Sequence, residues 1–79
     1  MTNAGFKIVE QCVKARENDT VDGVALGWKE TSFGDQWVTW AFTDHPAEER
    51  SYYWGHYFTD ETTAKIDYHK RALKMYGEV

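Results

Sequence analysis

Cysteine and proline are scarce in this chain of 79 residues, which has one of each, Cys12 and Pro46. One cysteine excludes an internal disulfide, a common staple of domains this small. A lone thiol is typical of a reducing compartment, so we expect a cytoplasmic protein. The sequence also lacks a signal-peptide pattern and any apolar run long enough for a membrane-spanning helix, so no membrane contact is expected.

Residue patterns for metal binding, phosphate binding and nucleophilic catalysis are missing too. The three histidines and Cys12 lack metal-ligand spacing. His45, which is followed by Glu48 and Glu49, does not match the His-Glu-x-x-His zinc pattern. The glycines form no phosphate loop, and no nucleophile is paired with a base. We therefore expect a protein that is not an enzyme and has no catalytic residues, no metal and no cofactor.

Basic residues are scarce in the middle of the chain, whose formal net charge is −4. Residues 31–63 carry six acidic residues and one basic residue, Arg50, whereas residues 64–79 carry four basic and two acidic ones. Binding to nucleic-acid phosphates needs clustered Lys and Arg, so the composition argues against a nucleic-acid partner. An acidic protein instead favours a partner with a basic patch.

Aromatic residues are abundant, with four Trp, five Tyr and four Phe. Residues 51–60 alone contain five of them and alternate with period two, which predicts a strand with aromatic side chains on both faces. Each aromatic side chain can bury roughly 150–250 Å², so these residues are expected to supply the core. The length is right for one compact domain, residues 1–79, and leaves no room for a second.

Hydrophobic periodicity predicts five elements in the order α-β-β-β-α. They are a helix over residues 4–17, strands over residues 21–30, 36–43 and within 51–60, and a second helix from Thr59 and Asp60 to Gly77. The first helix has a strand as its competing interpretation, because Ile8, Val9 and Val13 are β-branched. Apolar and polar residues do not alternate there, so the helix is favoured.

The predicted fold class is α+β, with a three-stranded antiparallel sheet in the order 1-2-3 and both helices on one face. Short turns at residues 31–35 and 44–50 connect the strands as hairpins, and Gly34 suits a positive φ. The covered face is expected to comprise Val24, Leu26, Trp28, Val38, Trp40, Phe42, Tyr52, Trp54 and Phe58.

The opposite face of the sheet is the candidate binding surface. Its predicted residues are Trp37, Thr39, Tyr53, Gly55 and Tyr57. Tyr and Trp are enriched in interfaces, so we expect a small interaction module that binds a protein partner or forms a homodimer through this face. Alternatively, these aromatic residues stack on single-stranded nucleic acid or a small ligand. Two further interpretations are that they only cover weak glycine positions and that another helix arrangement buries them.

The order α-β-β-β-α resembles that of double-stranded-RNA-binding domains, which also place two helices on one sheet face. In that family a Lys-rich start of the second helix contacts phosphate. The matching positions here are Asp60, Glu61, Thr62 and Thr63, which would repel phosphate.

The segments Trp37-Val-Thr-Trp and Tyr53-Trp-Gly-His-Tyr-Phe are similar to strings in short uncharacterised proteins of bacteria and their phages. This resemblance covers about the second half of the chain. It implies a bacterial or mobile-element setting and no particular activity.

Overall fold

The computed structural model describes residues 1–77 and contains five β-strands followed by one α-helix. The elements are β1 (Thr2–Asn3), β2 (Phe6–Ala15), β3 (Val21–Thr31), β4 (Gly34–Asp44), β5 (Ser51–Phe58) and α1 (Glu61–Gly77). Each strand pairs antiparallel with the next along the chain, so the spatial order is β1-β2-β3-β4-β5. No helix within this part of the chain is both long and apolar enough to cross a membrane.

The predicted first helix is wrong, because most of that segment forms strand β2. Its pairing with β3 shifts between Ile8, which faces Gly27, and Glu10, which faces Leu26. Val9 is therefore the extra residue of a β-bulge. This insertion interrupts the period-two pattern, which is why the pattern did not predict a strand here. The α-β-β-β-α arrangement with two helices on one face is corrected accordingly, and the likeness to double-stranded-RNA-binding domains in element order is lost with it.

The other predicted elements are present within one to three residues of their expected bounds. Gly34 has a φ of 116° at the hairpin between β3 and β4, as expected. Asp60 caps helix α1, since its carboxylate accepts hydrogen bonds of 2.8 Å from the backbone N–H and the hydroxyl of Thr63. Gly77 is still helical and is the last residue described.

Helix α1 covers one side of the sheet, which we call the helix face. Its buried side chains Ala64 and Tyr68 pack against Val24, Leu26 and Trp37. Partly buried residues complete this cluster: Cys12, Trp28, Phe58 and Met75. One face of a single amphipathic helix thus provides the apolar cover that was expected from two helices.

The opposite side, which we call the curled face, buries its aromatic residues by bending the sheet. Among residues 1–77 no second element covers it. The rings of Phe6 on β2 and Tyr57 on β5 nevertheless lie 6.1 Å apart, although β3 and β4 run between them. The sheet is therefore curled into a half-barrel, and Trp40 is only 4% exposed inside it.

Arg50 closes the curled face at one end. Its guanidinium lies 3.8 Å from the centre of the Phe42 ring and is held by Asp44 through bonds of 2.8 and 2.9 Å. Its Nη1 also donates to Gln11 on β2 at 2.7 Å. This hydrogen bond fixes the curl, because it joins β2 to the turn between β4 and β5, and β3 lies between β2 and β4.

The predicted division of residues between the two faces is wrong at the first hairpin. Thr31 pairs with Gly34, so even-numbered residues of β3 oppose odd-numbered residues of β4. Leu26 consequently faces Thr39, and Trp28 faces Trp37. The expected inner set is therefore split, with Val24, Leu26 and Trp28 on the helix face and Val38, Trp40 and Phe42 on the curled face.

Candidate functional site

The five residues predicted to form an exposed binding face do not share one surface. Trp37 and Thr39 lie beneath α1 and are 8% and 0% exposed. Tyr53 is half-buried, and its hydroxyl lies 2.7 Å from the Thr43 hydroxyl. The interpretation in which another helix arrangement buries this face holds for Trp37 and Thr39 but not for the whole set, because Gly55 and Tyr57 are exposed.

Gly55 and Tyr57 are displaced by a second β-bulge. Tyr53 faces Ala41, whereas Thr39 faces His56. One additional residue therefore lies between these two pairs on β5. Tyr57 moves to the curled face, where it is 58% exposed. The role of the five residues in binding stays a prediction, but only part of the set is accessible.

Trp54 occupies the bulge in a conformation that is unusual for its residue type. Its φ is 54°, in the left-handed region that bulky side chains rarely adopt. The left-handed conformation does not fall on the adjacent glycine, because Gly55 is placed where a side chain would press against Trp40. A Cβ at position 55 would lie 3.1 Å from Nε1 of Trp40. Trp54 is thereby turned outward and is 74% exposed.

The Trp54 side chain borders an open groove of about 610 Å³ on the helix face, which we call the Trp54 groove. One wall is made by Trp54 and Tyr53, whose rings meet edge to face with centres 4.9 Å apart. The other wall is the second half of α1, with Arg71, Lys74 and Met75. Its remaining lining residues are Asp22, Gly23, Val24, Ala41, Phe42 and His56. The groove thus combines apolar surface, aromatic rings and cations.

A hydrogen-bond network holds the wall formed by α1 against the sheet. The Asp67 carboxylate accepts a bond of 2.5 Å from the Thr39 hydroxyl and lies 3.0 Å from His56 Nδ1. Nη1 of Arg71 donates to the carbonyl and the hydroxyl of Thr39 at 3.1 and 3.0 Å. Burial raises the pKa of Asp67, but its hydrogen bonds with Thr39 and His56 lower it, and the net shift is downward. Thr39 is therefore a structural anchor for the helix.

The positive charges of the groove are less compensated than the negative ones. Asp22 already pairs with Arg16 at 3.2 Å and accepts a bond from Thr43. By contrast, no carboxylate within residues 1–77 lies at salt-bridge distance from Arg71 or Lys74. Burial lowers the pKa of Arg71, and the negative charge of Asp67 partly opposes this. The arginine stays charged at neutral pH, and Asp67 compensates part of that charge.

Residues 1–77 contain no group of three or more His, Cys, Asp and Glu side chains placed to hold a metal ion. Comparison of the chain with protein-family models, curated proteins and solved structures gives no match. The site is therefore interpreted from its own geometry.

Sequence reasoning assigned Trp54 to the covered face and so missed its exposure. A signal was present, because an isolated glycine inside a strand pattern, here Gly55, often marks a bulge. The cationic wall had no comparable signal. Arg71 and Lys74 belong to the polar arc of the predicted helix, and only the packing direction of α1 brings them to Trp54.

Proposed function

We propose that the protein is a small non-enzymatic interaction module that binds a protein partner, or a second copy of itself, through the Trp54 groove. The observation that carries this proposal is the exposed Trp54 in a strained backbone conformation. Such strain persists where the surrounding structure imposes it, and it clusters at functional sites. Tryptophan is also among the residues that most often dominate the binding energy of an interface.

The proposed setting is the cytoplasm of a bacterium, with an origin in a phage or another mobile element. It rests on the lone Cys12 and on the resemblance of the aromatic segments to short proteins of bacteria and phages. An aromatic side chain beside two cations is also suited to stacking on a nucleobase. Binding of single-stranded nucleic acid or a small ligand is therefore the second candidate function.

The variant Trp54→Asn tests the main proposal. Asparagine tolerates the left-handed region, so the bulge should be kept while the aromatic surface is removed. We expect it to abolish either capture of a partner from a bacterial lysate or self-association measured by sedimentation. Phe33→Asn is the matched control, since Phe33 is fully exposed on the hairpin turn, and it should leave binding unchanged.

A further variant, Tyr57→Thr, removes the exposed aromatic residue that remains from the predicted binding face. Loss of binding in Tyr57→Thr but not in Trp54→Asn would move the interface to the curled face and refute the Trp54 groove. Equal binding by the wild type, Trp54→Asn and Phe33→Asn would also refute it. Circular dichroism should show that all three variants stay folded.

A further inference from the structure

We infer that the Trp54 groove receives a segment of a partner protein in which a carboxylate lies next to an apolar side chain. This inference rests on the proposed function and adds the chemistry of the partner. It is the opposite of what the net charge of the chain suggests, since an acidic protein favours a basic partner. The charge of the partner segment is set by the local charges of the groove rather than by the net charge of −4.

Arg71 supplies the fixed part of the carboxylate site. Only Nη1 of its guanidinium has a hydrogen-bond partner among residues 1–77, and that partner is Thr39. A guanidinium has five N–H donors in a planar fork, so further donors remain for a ligand. Thr39 is fully buried and holds the side chain in place, which limits the entropy lost on binding.

Lys74 supplies a second, exposed cation one turn further along α1. A carboxylate placed against this wall would meet both cations. Asp67 offsets part of the Arg71 charge at a distance longer than a salt bridge, but both nearby acidic residues already have other partners. Asp22 is paired with Arg16, and Asp67 is bonded to Thr39 and His56.

The apolar part of the ligand would lie between the two walls. Trp54 and Tyr53 present ring surface on one side, and Met75 presents a flexible thioether chain on the other. A single carboxylate beside an apolar side chain matches two cations beside an aromatic wall. A nucleic acid matches less well, because two cations are too few for its successive phosphates and the formal net charge of the chain is −4.

The test is a titration of the 79-residue protein, followed by two-dimensional ¹⁵N NMR, with two blocked tetrapeptides, Glu-Phe-Leu-Glu and Gln-Phe-Leu-Gln. They differ only in charge. We expect the first, at millimolar concentration, to shift the indole N–H of Trp54 and the Nε–H of Arg71. The Gln peptide should bind several-fold more weakly. Lys74→Gln should weaken binding of the Glu peptide about two- to five-fold, as for a solvent-exposed ion pair, and added salt should act in the same direction.

Equal shifts with both peptides, or none with either, would overturn the inference. Stronger shifts with a single-stranded oligo-dT would assign the groove to nucleic acid instead. Self-association that is lost in Trp54→Asn would make a second copy the occupant. If partner capture depends on Trp54 but the Glu peptide and Lys74→Gln have no effect, the inference fails while the proposed function stands.

Discussion

Gly23→Ala tests the tight packing of the curled face. A Cβ at position 23 would overlap Cζ of Phe42 and lie 2.5 and 2.6 Å from Cε2 and Cε1. The Phe42 ring is fully buried, and the guanidinium of Arg50 lies 3.8 Å from its centre. The ring therefore cannot lift away from the new methyl group without moving Arg50.

The expected cost follows from two opposing effects. Overpacking of a filled core costs about 1–3 kcal/mol. Replacing glycine by alanine also restricts the unfolded chain, which stabilises the folded state by about 0.4–1 kcal/mol. We therefore expect a net loss of about 1–2 kcal/mol of unfolding free energy, which corresponds to a fall in Tm of about 4–16 °C for a domain of this size.

Urea unfolding of Gly23→Ala, Phe42→Leu and the double variant measures this coupling. Leucine removes the ring atoms that the new Cβ would meet, so Gly23→Ala should cost much less in the Phe42→Leu background. The expected coupling energy is about 1–2 kcal/mol, within the range for residues in contact. A Gly23→Ala protein as stable as the wild type, or an equal cost in both backgrounds, would refute the packing of Phe42 over Gly23.

Three further predictions concern the strand bulge, the thiol and the polar network. Trp54→Asn should raise the unfolding free energy by up to about 1 kcal/mol in urea titrations, since a non-glycine residue in the left-handed region costs about 1–2 kcal/mol. A clear decrease in the unfolding free energy would contradict a strained backbone at Trp54. Cys12 is half-buried under α1 and should react with a thiol reagent faster in denaturant than in the native protein; equal rates would place it in solvent. The pKa of Asp67 is lowered on folding, so its contribution to stability is present above pH about 4 and is lost as the pH falls through the folded value. Asp67→Asn should therefore lose less stability than the wild type between neutral and acidic pH, and identical pH profiles would contradict this.

The parts of the fold that could be predicted are those with an uninterrupted period. Strands β3 and β4 alternate regularly, and α1 has an apolar face and an N-cap at Asp60. Strand β5 could be predicted from its aromatic residues, although its bulge displaces Gly55 and Tyr57. Strand β2 could not be predicted, because the bulge at Val9 puts the apolar residues on either side of it out of phase. Its apolar residues then also fit one side of a helical wheel, and periodicity alone does not separate these two possibilities.

The candidate site was harder to predict because it depends on how the elements combine. The parity across the first hairpin decides whether Trp37 or Trp40 lies under the helix, and it changes with one residue of loop length. Both tryptophans are buried, so their hydrophobicity gives no guide to the face that each occupies. The cations of the groove come from α1, and their position follows only from the direction in which the helix crosses the sheet.

The bulge at Trp54 links the packing of the core to the proposed site. A Cβ at position 55 would press against Trp40, so glycine is favoured there, and the extra residue of β5 falls on Trp54. The left-handed conformation is thus placed on a tryptophan rather than on the adjacent glycine, where it would cost less. Stability alone would favour asparagine or glycine at position 54. A largely exposed tryptophan in this backbone conformation fits the proposed binding role, so Trp54→Asn should separate the two properties, raising the stability of the fold while abolishing binding.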